Sequence, residues 1–206
     1  MMIEDLYASL AQMLDYPHDK ESLSSALGVV REYLRDERLE CSLTLFGGFV
    51  AGHTLAEIQE EYVATFDFNP TVAPYLGHHL FGDNQKKGTY LITLKGEYGR
   101  HGYIPLGNEL PDHLPLILRF LVFLTRGGEA ETRISFIGLH VLPGVEKLSD
   151  SFAASRPDSP WRSAVEAVRL ICSEDSVRGA RPTEPIGDGV LENSGQRMAH
   201  PEVRSC

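Results

Sequence analysis

Asp112-His113-Leu114-Pro115-Leu116-Ile117-Leu118-Arg119-Phe120-Leu121-Val122-Phe123-Leu124 is the stretch that decides the fold. Its apolar residues occupy nearly every side of a 3.6-residue period, which places the helix they form at the centre of a bundle. Asp112 stands where a cap belongs, and Pro115 falls in the first turn, where no amide needs an intrahelical partner. At 1.5 Å per residue the helix is roughly 20 Å long. Arg119 interrupts the apolar run, which is too short to cross a bilayer, so no direct membrane insertion is expected.

The same period recurs outward from this helix. Ile3, Leu6, Tyr7, Leu10, Met13 and Leu14 share one helical face, and Tyr16-Pro17 ends it. Asp19 caps a second helix with Leu23, Leu27, Val30 and Leu34 on its buried side. A third covers part of 42–50, although Gly47-Gly48 opposes it. Thr54-Leu55-Ala56-Glu57 is a capping box, and the helix it opens carries Leu55, Ile58, Tyr62 and Phe66 on one side until Phe68-Asn69-Pro70. Residues 71–81 read as irregular, 83–101 as a helix with Tyr90, Leu91, Leu94 and Tyr98 inward, and 102–111 as a loop. A helical segment after Gly128 is expected to break near Pro143-Gly144. Ser159-Pro160 reads as N-cap and first residue of a last helix over 161–172. No convincing strand is present. The expected fold is therefore all-α, a single-domain helical bundle over 1–173. Residues 174–206, rich in Gly, Pro, Glu and Arg and without periodicity, read as a disordered tail.

The 206 residues are 42% hydrophobic and 23% charged, enough for one sizeable core. Twenty-nine acids against 19 bases give a net charge of −10. The six acids and four arginines of the expected tail account for −2, which leaves −8 on the domain. Nucleic acid and anionic membranes are thereby excluded as main partners, since both require clustered Lys and Arg. A basic ligand is compatible. Three separated cysteines without a Cys-x-x-Cys form neither a disulfide framework nor a zinc knuckle, and they fit a reducing, cytoplasmic compartment. The N-terminus begins with acids rather than a basic region, unlike a signal peptide.

Phosphate-binding, dinucleotide, nucleophile-elbow and zinc-protease motifs are all absent. His78-His79 is the densest histidine cluster among eight, but neighbours on a helix point about 100° apart, so packing histidines are expected and no metal. Two segments carry more information. In Glu109-Leu110-Pro111-Asp112-His113-Leu114-Pro115, two acids and a histidine lie at the entrance to a buried helix. They read either as a cap with a packing imidazole or as a polar anchor for a basic group. In Glu60-Glu61-Tyr62-Val63-Ala64-Thr65-Phe66-Asp67, Tyr62 and Phe66 share a face. They read either as core or as the floor of a groove whose acidic rim suits an apolar helix with a basic end.

Glu61-Tyr62-x-x-x-Phe66-Asp67, His79-Leu80-Phe81-Gly82, Lys87-Gly88-x-x-Leu91 and Glu109-Leu110-Pro111-Asp112-His113-Leu114-Pro115, in this order, resemble the TorD/DmsD/NarJ family. The resemblance is to its NarJ branch in particular, the nitrate reductase molybdenum cofactor assembly chaperones. Thr65 stands where the family commonly has leucine. The resemblance implies an all-helical cytoplasmic chaperone without catalytic activity, metal or cofactor of its own. It implies as partners the apo catalytic subunit of a molybdoenzyme and that subunit's N-terminal leader peptide, held until molybdenum cofactor insertion and then released for membrane docking or export. It implies a monomer or weak dimer. Carried onto this chain, the binding residues are Tyr62, Phe66, Asp67, Glu109, Pro111, Asp112 and His113. A generic helical adaptor for another client and, further off, a nucleotide-acting enzyme built on Glu109, Asp112 and His113 are the competing expectations.

Overall fold

The computed structural model describes residues 2–39, 41 and 43–180. Its regular structure is helical: α1 (Ile3–Leu14), α2 (Lys20–Asp36), α3 (Thr44–Gly52), α4 (Leu55–Phe66), α5 (Leu76–Phe81), α6 (Gln85–Arg100), α7 (Leu114–Arg126), α8 (Ala130–Phe136), a π-helical turn (Ile137–Val141), α9 (Leu142–Ser155) and α10 (Pro160–Ala180). The all-α expectation is met.

Helix α7 is the central one, with nine of its 13 residues buried. Burying each large apolar side chain contributes about 1.5–3 kcal/mol. Helix α1 lies along α7 and α2, and α10 closes over α1, α3, α8 and α9. Arg119 of α7 pairs with Asp15 just after α1, and Arg126 at the end of α7 faces Glu4 at the start of α1, so the two helices run antiparallel. The capping box is present: Glu57 N–H donates to the Thr54 hydroxyl at 3.3 Å, and Thr54 N–H to Glu57 Oε2 at 2.7 Å. Asp19 caps α2 through the amides of Glu21 and Ser22, which holds its carboxyl at about 2.

Three expectations are corrected. The stretch 71–81 is not wholly irregular, because it contains α5. The chain does not break at Pro143-Gly144. Proline lacks an amide and crowds the carbonyl four residues back, and the π-turn immediately before it widens the helix and absorbs that misfit. Gly144 follows because a Cβ there would stand 2.8 Å from the Leu76 Cβ, so glycine lets α5 approach α9. Finally, the boundary expected after residue 173 falls inside α10, which continues to Ala180. Its Asp175 is buried and accepts hydrogen bonds from Tyr7 Oη (2.7 Å), Arg133 Nε (2.8 Å) and Arg133 Nη2 (2.9 Å). The rest of the expected tail, 181–206, lies outside the described residues.

Candidate client-binding surface

Asp112 does not cap α7. The segments before α5 and α7 pair briefly as antiparallel backbone: Leu76 N–H donates to Asp112 O at 3.1 Å and Leu114 N–H to Pro74 O at 2.8 Å. This pairing turns the Asp112 side chain inward, where Oδ2 accepts the Gly77 N–H at 2.9 Å in the first turn of α5. Asp112 therefore ties α5 to the start of α7. Its Oδ1 is buried without a partner, and burial pushes the carboxyl up, against the opposing pull of the Gly77 bond and the charges of Lys87 and His78.

His113 takes the cap position of α7 without a side-chain bond. Its ring lies 5.2 Å from the Tyr75 ring, and Nδ1 is buried without a partner. Burial pushes its pKa below the usual 6.5, while Glu109, Asp15 and Asp67 oppose that shift and Arg119 reinforces it. Neither Glu109 nor Asp112 hydrogen-bonds to it. Glu109 instead accepts from the Tyr75 hydroxyl at 2.8 Å, and the Pro111 carbonyl accepts from Tyr98 at 2.6 Å. The charges of three carboxylates from three distant segments, Asp15, Asp67 and Glu109, thus act on one buried imidazole.

Tyr62 and Phe66 do not form an open floor. They are 5% and 2% exposed and pack on Trp161 at ring distances of 5.6 and 5.8 Å. Tyr62 Oη also donates to the Leu14 carbonyl at 3.2 Å, which fixes the end of α1. Their contribution is to hold Tyr16, whose exposed ring stands edge-on to Tyr62 at 5.6 Å. Thr65 is buried: its hydroxyl donates to Glu61 at 3.0 Å, and Arg156 pairs with the same carboxylate at 3.0 Å. A leucine at 65 would lose the hydroxyl's bonds to Glu61 and to Arg156 (3.3 Å), and leave the direct Arg156–Glu61 pair to link α4 to the end of α9. Of the expected acidic rim, Glu60, Asp67 and Glu109 are exposed, Glu61 is held by Arg156, and Asp112 is internal.

The open apolar surface lies beside these acids. Phe68, Ile104 and Leu106 are 81%, 82% and 93% exposed. A cavity of about 420 Å³ beside Phe68 reaches Tyr16. From Tyr16 a second, about 570 Å³, runs between α1 and α7 to Tyr103, and a third, about 700 Å³, continues under Ile104 and Leu106. Asp15, Tyr16, Tyr103 and Arg119 line this surface, Tyr75 stands against Glu109 and His113, and none of the five was legible as a site residue. They lie in unrelated segments, and only the antiparallel packing of α1 on α7 brings Asp15 and Arg119 together. Among the described residues no group of three or more His, Cys, Asp or Glu is placed to hold a metal ion. Among them, too, no helix is long and apolar enough to cross a membrane. His79 of the histidine pair donates from Nε2 to the Ala73 carbonyl at 2.7 Å.

The fold and this surface define a class: an all-α domain with an apolar channel that has Asp15 and Arg119 in its wall. The family described as the nitrate reductase delta subunit matches residues 19–154, and the chain belongs to that family. Its relatives include the probable nitrate reductase molybdenum cofactor assembly chaperone NarJ of Bacillus subtilis (strain 168), 29% identical over 116 residues. That match covers 55% of this chain and 62% of the relative. The nitrate reductase molybdenum cofactor assembly chaperone NarJ of Escherichia coli (strain K12) is 32% identical over 75 residues, which cover 36% of this chain and 32% of the relative. The probable chaperone NarW of the same strain is 26% identical over 171 residues, 80% of this chain and 68% of the relative. The first two matches thus span less than two thirds of the relatives' length. These homologues are assembly chaperones rather than enzymes, and the motif resemblance to the NarJ branch holds.

Proposed function

We propose that this protein is a cytoplasmic chaperone for the apo catalytic subunit of nitrate reductase or a related molybdoenzyme. It binds that subunit at its N-terminal leader and supports molybdenum cofactor insertion before membrane docking or export. It acts by binding and not by catalysis. The observation that carries the reading is the apolar channel with Asp15 in its wall, together with the exposed Asp67 and Glu109 whose charges reach the same His113 as that of Asp15, in a chain of this family. A leader with a basic stretch and an apolar helix matches both halves. Its cations form charge-assisted hydrogen bonds with the exposed carboxylates, and its apolar face fills the channel. Asp67 and Glu109 make the direct contacts; Pro111, Asp112 and His113 position the loop that presents Glu109, and Asp67 stands at the end of α4; Tyr62 and Phe66 support Tyr16. Release is required, so affinity is micromolar to tens of nanomolar, about 8–10 kcal/mol.

Calorimetry with the N-terminal peptide of the cognate catalytic subunit tests this. The surface double variant Asp67→Asn/Glu109→Gln should bind at least about tenfold more weakly, a loss of about 1.4 kcal/mol. Equal affinity for variant and parent refutes the site.

A further inference from the structure

We propose that Arg119 is a built-in competitor for the ligand's basic residue, and that its pairing with Asp15 keeps the channel closed in two. This deepens the leader-binding reading and rests on it. The observations are geometric. Arg119 is the charged residue that interrupts the apolar run of α7, and its side chain is about half exposed. It pairs with Asp15 at the turn between α1 and α2. The cavities of about 570 and 700 Å³ both have Arg119, Tyr103 and Phe123 in their walls. The two cavities therefore meet at Arg119.

Charge complementarity identifies the occupant. Asp15 already receives a guanidinium, from the chain itself, so the site is shaped for a cation. An exposed ion pair is weak, because water and salt screen it and two side chains must be held still. Opening it is therefore easy. A ligand cation arriving on an apolar segment takes the place of Arg119 on Asp15, and one ion pair is exchanged for another. Arg119 swings outward, the two cavities join, and the apolar part of the ligand is covered along the whole channel. An apolar segment without a cation leaves Arg119 on Asp15 and fills only one cavity. The pair thus selects for segments that are both basic and apolar, and rejects exposed apolar chain in general.

The test uses the full chain and two synthetic peptides: the N-terminal peptide of the cognate molybdoenzyme catalytic subunit, and the same peptide with every Arg and Lys replaced by Gln. Affinities are measured for the parent, Arg119→Ala and Asp15→Asn. Circular dichroism and thermal melting confirm that the variants fold. Arg119→Ala is expected to bind both peptides more tightly, by at least about fivefold, and to lower the preference for the basic one. Asp15→Asn removes the ligand's acceptor and also frees Arg119, so it is expected to tighten the neutral peptide and to lower the preference for the basic one by at least about fivefold. Arg119→Ala binding equally or more weakly than the parent overturns the competitor role while leaving leader binding intact. Absence of binding by all three proteins overturns leader binding, and the competitor with it.

Discussion

Asp175→Ala should cost about 3–5 kcal/mol, although Asp175 lies beyond the boundary that composition places at 173. The magnitude follows from what the substitution leaves behind. The Arg133 guanidinium would keep only the Thr125 hydroxyl, at 3.3 Å, in a site where its side chain is 10% exposed. Removing one partner of a buried pair leaves an uncompensated charge, and that costs about 3–5 kcal/mol. Within the same total, the Tyr7 hydroxyl loses its acceptor. For a domain of this size the loss corresponds to a fall of roughly 6–20 °C in melting temperature. Urea denaturation followed by far-ultraviolet circular dichroism at neutral pH measures it. The triple variant Tyr7→Phe/Arg133→Met/Asp175→Leu removes these three polar groups together, leaves the Thr125 hydroxyl its bond to the Leu121 carbonyl, and should stay within about 1.5 kcal/mol of the parent. A loss below about 1 kcal/mol for Asp175→Ala would refute the reasoning. So would a triple variant as unstable as the single one, since the network would then stabilise in its own right.

Asp112→Asn keeps an acceptor for the Gly77 amide and should cost less than about 1 kcal/mol, whereas Asp112→Ala should cost about 1–3 kcal/mol; equal losses in urea midpoints would show that charge rather than the hydrogen bond matters. Gly144→Ala should destabilise by about 1–3 kcal/mol through the Leu76 contact, while Gly88→Ala, on an open face of α6, should stabilise by up to about 1 kcal/mol. Two melting curves with the same sign would contradict this contrast. Burial holds His79, His113 and His140 below 6.5, so the unfolded chain binds more protons and stability should fall as pH drops through 6.5. Asp112, raised by burial, pulls weakly the other way at lower pH. His113→Asn should flatten that fall, and a urea midpoint that rises on mild acidification would count against the burial assigned to these rings.

Helices with a long one-sided apolar period were legible in the sequence. For α1, α2, α4 and α7 the periodic face and the caps at Asp19 and Thr54 agree with the packing observed. Helix α5 was not, because its six residues are too few to display a period and it is held by Asp112 from 35 residues away. The end of α10 was hidden for a similar reason. Residues near Asp175 look like polar tail until Arg133 and Tyr7 are placed beside them. The Tyr62–Phe66 pair was read correctly as sharing a face, and core was one of its two readings. Local spacing does not distinguish core from groove; Trp161, almost a hundred positions on, does. Glu109, Asp67 and Asp112 were all identified as candidates, but burial separates them: the first two face solvent and the third is internal.

The central claim is that this chain captures a molybdoenzyme catalytic subunit by its leader. Co-purification of the tagged chain with the purified apo subunit, intact and with its N-terminal leader removed, tests it most directly. The intact subunit should be retained and the shortened one lost. Equal retention of both would place the interface elsewhere.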